Sequence, residues 1–143
     1  MFCAFANGGN IMQPYIVDGL YETEGIKYNN VSKASPKVWK GGVIEQHSLD
    51  VIVPYLKDVV DHSLNGTGRS LKVTSVTVAA KTGTAEIGND KSRQISWFAG
   101  FRCDTEDKDA RLVLVMLEVP TTDEYASLKF DIAREMLKMS ASR

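Results

Sequence analysis

Lys81-Thr82-Gly83-Thr84 places a cation, two hydroxyls and a residue without a side chain in four consecutive positions of the segment VAAKTGTAEIGND. On an extended strand alternate residues project to one side, so Thr82 and Thr84 offer two hydroxyl donors from a single face. Lys81 adds a fixed positive charge, and Gly83, lacking a Cβ, lets another backbone lie close. If the strand is a sheet edge, its free N–H and C=O groups can pair with a peptide as an added strand. The combination suits a carboxylate-bearing peptide. Taken singly, each residue is ordinary: lysine and threonine are common on exposed strands, and a glycine can mark a bulge. Glu86, Lys91 and Arg93 read as a charged rim beside this segment. His47 and His62 flank a helix without partners and are poor candidates for catalysis.

The chain that must position these residues has 143 residues, 43% hydrophobic and 24% charged, which fits one domain with a single core. A net charge of −1 gives no overall pull toward nucleic acid or anionic lipid. Cys3 and Cys103 lack metal-ligand spacing; a single disulfide between them stays open, with two separate buried thiols the favoured reading. No apolar run reaches the length of a membrane span.

MFCAFA reads as the end of a helix stopped at Asn7-Gly8-Gly9, where left-handed backbone is cheap. A helix starting at the initiator Met without a cap suggests truncation. QPYIVDGLYETEG reads as a strand entered through Pro14 and packed through Tyr15, Val17 and Leu20. Residues 22–46 show no sustained period and predict a long surface excursion with short strand pieces around Val38-Trp39 and Val43-Ile44. Helical spacing then runs through Ile52, Leu56, Val59, Val60 and Ser63, with Ser48 or Asp50 as cap and Pro54 bending the first turn. Asn65-Gly66-Thr67-Gly68 ends that helix. Strands follow over 76–87, 95–104 and 111–119, the last two joined by the acidic TEDKDA loop. RLVLVMLEV is apolar almost throughout, which predicts a strand covered on both faces inside a sheet. Trp97, Phe98 and Phe101 read as core. Over 123–139 the stripe Tyr125, Leu128, Ile132, Met136 and Met139 predicts an amphipathic helix packed through that stripe and capped by Thr122 or Asp123. The fold class is α+β: an antiparallel sheet with helices against it.

In order and detail these parts resemble the C-terminal part of the transpeptidase domain of penicillin-binding proteins, which share their fold with serine β-lactamases. AFANGGNIMQPYIV, NGTGRSL, AAKTGTAE and SWFAGF are the segments that carry the likeness, which spans nearly all of 1–143 and is most similar to the class B, monofunctional transpeptidases. Such domains are identified by Ser-x-x-Lys, Ser-x-Asn and Lys-Thr-Gly motifs. Only the third is present. No Ser stands three residues before any Lys, and Ser63-Leu64-Asn65 falls at a helix end close upstream of Lys81 rather than in a separate helical region.

The resemblance implies a peptidoglycan D,D-transpeptidase that attacks a stem-peptide D-Ala-D-Ala with a serine and is acylated by β-lactams. In that chemistry Lys81, Thr82, Gly83 and Thr84 bind substrate, with Lys81 and Thr84 also catalytic: Lys81 attracts the carboxylate and the N–H of Thr84 is one oxyanion donor. No metal or organic cofactor is implied, and no nucleic acid. The enzyme would be anchored in the cytoplasmic membrane with its catalytic domain outside, while this chain, a C-terminal fragment, carries no anchor and is expected to be inactive alone. Its last strand would lack the neighbour that an upstream segment supplies, predicting a dimer or a strand-swapped assembly. A β-lactam sensor, a serine β-lactamase fragment and a non-catalytic interaction module are the competing readings.

Overall fold

A computed structural model describes residues 1–61, 65–71, 73, 76–103, 112–122 and 124–139. Three strands form its central sheet: β5 (Val78–Ile87), β6 (Arg93–Arg102) and β7 (Leu112–Pro120), antiparallel in the order β5-β6-β7. Thr82 pairs with Phe98 and Phe98 with Val115, so these three side chains share one face. Helices α2 (Gln46–Asp61) and α3 (Leu128–Met139) close that face over a core of Val60, Leu71, Ala80, Phe98, Val115, Phe130 and Leu137. Phe98 meets the Phe130 ring edge-on at 6.0 Å. Each fully buried large side chain in such a core stabilises by about 1.5–3 kcal/mol.

Ahead of the sheet lies α1 (Cys3–Ala6), which ends as read, with Gly8 and Gly9 at φ 57° and 81°. Gly9 is doubly required, since a Cβ there would collide with the carbonyl oxygen of Ile44. The following excursion is more ordered than expected. Strand β1 (Ile11–Met12) pairs with β4 (Val38–Lys40), and β2 (Gly19–Glu24) forms a hairpin with β3 (Lys27–Lys33). Residues 14–18 are not a strand, Tyr15, Val17 and Leu20 are exposed rather than packed, and Val43-Ile44 is not a strand piece. Pro14 cannot donate to a ladder, which breaks the strand there.

Helix α2 starts at Gln46, two residues before Ser48, so neither Ser48 nor Asp50 is its cap, and Pro54 is accommodated inside it. Cys3 is exposed and Cys103 half-buried, and they are not joined in a disulfide, so the expectation of two buried thiols fails. His62, Ser63, Leu64, the TEDKDA loop and Asp123 lie outside the described residues.

Strand β7 is an edge of the sheet and not the interior strand its apolar run predicts: one face is packed, but Leu114 and Met116 on the other are 61% and 53% exposed. The apolar stripe of the last helix does not pack on the sheet either. A 3-10 turn (Glu124–Ser127) precedes α3, whose buried residues are Lys129, Phe130, Ala133 and Leu137, while Tyr125, Leu128, Ile132, Met136 and Met139 are exposed. Phe130, Ala133 and Leu137 are also spaced as one helical face, and that narrower face is the one that fits against β6 and β7.

Candidate functional site

Strand β5 is the other edge of the sheet, and it is covered only along its first half. Val78, Ala79 and Ala80 are buried, whereas Lys81 and Thr84–Glu86 are exposed and Thr82, Gly83 and Ile87 half-buried. The cover comes from α2 and the turn that follows it. Gly68 donates its N–H to the Val59 carbonyl at 2.7 Å, and a Cβ on Gly68 would stand 3.1 Å from that oxygen. This close approach folds the turn back on the helix and brings Thr67 to the strand. The hydroxyls of Thr67 and Thr82 are 2.8 Å apart. The covered strand therefore emerges into the open at Lys81.

Register separates the four predicted residues between the faces of the strand. Thr82 and Thr84 stand opposite Phe98 and Ser96 on the packed face. Lys81 and Gly83, opposite Ala99 and Trp97, lie on the other face. The Lys81 ammonium donates to the Thr82 carbonyl at 2.5 Å, and no carboxylate among the described residues pairs with it. Gly83 lies over Trp97, where an added Cβ would be 3.5 Å from the Trp97 Cβ, an ordinary contact. The fold does not demand a glycine here.

A cleft of about 360 Å³ opens beside Lys81, lined by Tyr55, Asp58, Val59, Asn65, Gly66 and Thr67. Tyr55 and Asp58 were not singled out from the sequence, and Thr67 was read only as part of the turn NGTGRSL. Gly68, needed for the close approach to Val59, is the signal that could have placed Thr67 against the strand. At the far end of β5, Lys91 pairs with Glu86 at 2.9 Å and Arg93 with Glu118 at 2.7 Å. The charged rim is present, but these exposed pairs add little stability. Beyond it, hydrogen bonds from the Ser92 hydroxyl and amide hold the Asp90 carboxyl below the usual carboxylate range. Phe98 and Phe101 are buried as expected, Trp97 only partly, and His47 is exposed.

A cation, two hydroxyls and a bare backbone thus coincide where an edge strand leaves its cover. Comparison with known proteins gives that arrangement a context. The family model of the penicillin binding protein transpeptidase domain matches residues 1–138. A peptidoglycan D,D-transpeptidase FtsI homolog from Mesostigma viride is 31% identical over 94 residues, covering 60% of this chain and 15% of its own. The D,D-transpeptidase domain of a peptidoglycan glycosyltransferase from Eggerthella lenta superposes with a TM-score of 0.67 at 31% identity, over 96% of this chain and 29% of that one. Penicillin-binding protein A from M. tuberculosis, solved as an imipenem acyl-enzyme complex, gives 0.65 at 21% identity over 98% of this chain and 28% of that one; at this identity it shows the shared fold alone. The chain therefore spans less than a third of the length of each of these relatives. Among its described residues no helix is long and apolar enough to cross a membrane.

Proposed function

Given that this chain belongs to the family of penicillin-binding protein transpeptidase domains, we propose that the open half of β5 is the substrate-binding edge of a peptidoglycan D,D-transpeptidase acylated by β-lactams. The observation that carries the proposal is the point of emergence. Lys81, unpaired with any described carboxylate, stands where the strand leaves its cover and next to a hydroxyl pair, Thr67 and Thr82, fixed at 2.8 Å.

In this reading a stem peptide ending in D-Ala-D-Ala lies along Lys81–Thr84 as an added strand. Lys81 draws its terminal carboxylate, the Thr82 and Thr84 hydroxyls donate to it, and Gly83 admits its backbone. A serine elsewhere in the domain attacks the penultimate carbonyl, D-alanine leaves, and an amine from a second stem peptide resolves the ester. The Thr84 N–H would hold the developing oxyanion together with the amide of that serine. β-Lactams would enter the same way, their carboxylate on Lys81 and their strained amide open to the serine. The enzyme would act outside the cytoplasmic membrane, to which another part of the polypeptide anchors it. Residues 1–143 contain no Ser-x-x-Lys, so this chain contributes the anchor and half of the oxyanion hole, and does not form the acyl-enzyme alone.

Fluorescent-penicillin labelling tests the reading, comparing this chain with a polypeptide extended by an upstream transpeptidase segment that carries Ser-x-x-Lys. The extended polypeptide is expected to be labelled and this chain not. Lys81→Ala should slow labelling about 10- to 100-fold, the value of one lost charge-assisted bond. Absence of labelling in the extended polypeptide, or indifference to Lys81→Ala, would reduce the strand to a scaffold.

A further inference from the structure

The cleft beside Lys81 and the open half of β5 meet at that residue, which lines the first and begins the second. On the reading of β5 proposed above, a ligand runs from its scissile carbonyl at Thr84 to its carboxylate at Lys81 and Thr82. A group attached beyond that carboxylate continues toward the covered beginning of the strand, where the cleft lies. Lys81 must be open to solvent for any peptide to reach it, and the cleft shares that opening. One wall is α2. Tyr55 and Asp58 stand three residues apart on that helix and share a face. Val59, beside them, accepts the Gly68 N–H, so the closure that sets Thr67 against Thr82 also fixes this wall relative to the strand.

Charge and size decide what the cleft can hold. Of the described residues that line it, two are charged, Lys81 and Asp58. Once a ligand carboxylate occupies Lys81, Asp58 is the charge that remains, and it pairs with no cation among the described residues. A second anion on the ligand would be repelled there; a cation would be drawn in. Tyr55 adds an aromatic ring, whose face attracts a quaternary ammonium. At about 360 Å³ the cleft sits at the small end of ligand pockets, roughly 300–1,000 Å³, so it admits a side group and not a second peptide. We propose that this cleft is a subsite selecting ligands that carry a positive charge beyond the carboxylate. Asp58 is the selecting group and Tyr55 the surface on which the cation rests. The ligand class is a cephalosporin whose C3 substituent, next to the ring carboxylate, is a quaternary ammonium. The inference rests on β5 being the binding edge and adds to it a preference that Lys81–Thr84 alone do not have.

The test uses the polypeptide extended by an upstream segment that carries Ser-x-x-Lys. Two cephalosporins with the same acyl side chain, one with a methyl at C3 and one with an N-methylpyrrolidinium-methyl group, compete against fluorescent penicillin. The readout is the ratio of their acylation rates. Asp58→Asn should lower the cationic-to-neutral ratio about two- to fivefold, the value of one exposed charge pair. Tyr55→Leu should lower it by a similar factor, and Asp58→Glu should keep it. Comparing each ratio with that of the unmodified polypeptide cancels the intrinsic reactivity of the two rings, and a partial loss of folding lowers both rates alike. A ratio unmoved by Asp58→Asn, or moved as far by Asp58→Glu, overturns the subsite; labelling that still depends on Lys81 then leaves β5 as the binding edge. No labelling by fluorescent penicillin removes the binding edge and the subsite together.

Discussion

Gly100 on β6 and Gly83 on β5 lie on opposite faces of the sheet, and substitution by alanine will separate the packing duty of the first from the peptide-binding duty proposed for the second. Gly100 shares its face with Phe98 two residues earlier, and the Phe98 ring lies down over it: a Cβ at Gly100 would stand 2.7 and 2.8 Å from ring atoms of Phe98 and 3.3 Å from the Ala80 Cβ. Phe98 is fully buried and held edge-on against Phe130, so the ring cannot swing into solvent. Overpacking of this kind costs about 1–3 kcal/mol. Against it stands a gain of about 0.4–1 kcal/mol from the stiffer unfolded chain, for a net loss of about 1–2 kcal/mol. For a domain of this size that lowers the melting temperature by about 3–8 °C. At Gly83 the nearest atom to the added Cβ is 3.5 Å away, so only the favourable chain term remains and the melting temperature should hold or rise by up to about 3 °C. The Gly83 methyl would instead obstruct the peptide. Thermal unfolding by circular dichroism reads the first effect, and NMR titration with a D-Ala-D-Ala-terminated peptide reads the second, as weakened amide shifts at Thr82–Thr84. If Gly100→Ala melts with the unmodified protein and Gly83→Ala melts below it, the division between packing glycine and binding glycine is wrong.

Lys129, 7% exposed, donates to the Ser96 hydroxyl at 2.6 Å and lies over the Phe130 ring, without a carboxylate partner among the described residues. Burial pushes its ammonium below the ordinary value of 10.5. Below the lowered folded value both states carry the proton and the burial penalty is complete; between that value and 10.5 only the unfolded state keeps it, so stability rises with pH there. Lys129→Met should flatten that rise, which urea unfolding from neutral pH to about 10.5 will show as a difference between the two proteins. Arg134→Ala removes two bonds to backbone carbonyls and the 2.6 Å pair with Asp131, leaving the Leu71 carbonyl unsatisfied next to a buried side chain. A loss of about 2–4 kcal/mol is expected in urea unfolding, with Arg134→Lys restoring little because lysine cannot present the fork.

Local signals in the chain were the ones that could be read. Three strands and two helices fall within a few residues of their expected places, and Lys81–Thr84 lies on an edge because alternation and glycine placement are properties of four consecutive residues. Partners were harder. Helix α3 offers two apolar faces, and periodicity found the broader; the sheet accepts the face with Ala133, whose small side chain lets the helix approach. An unbroken apolar run such as Leu112–Leu117 fits a central strand or an edge awaiting cover, and periodicity cannot choose. Hairpin β2–β3 stayed hidden because KYNNVSK is exposed throughout and so shows no alternation. Thr67 reaches Thr82 through the Gly68–Val59 contact, and Gly68 is the one local mark of that closure in the sequence.

The same one-sided packing governs how the proposed binding edge is held. Its packed face is anchored through Val78, Ala80 and the Thr67–Thr82 contact, while the opposite face is met near its beginning by α1, whose Phe2 ring stands 5.8 Å from that of Phe101. Farther along that face Lys81 and Gly83 are left to solvent and Trp97. Past Thr84 the strand depends on its ladder with β6 and on an exposed Lys91–Glu86 pair, and exposed pairs contribute at most about 1 kcal/mol. Rigidity therefore falls along β5 from Ala80 toward Ile87. Lys81 and Thr82 stand at the firm end, where the carboxylate of the proposed substrate would be fixed with little ordering cost, and the yielding end would adjust to the rest of the peptide. A strand stiff throughout would need a matching ligand backbone; one anchored at Thr82 needs only the carboxylate to be placed.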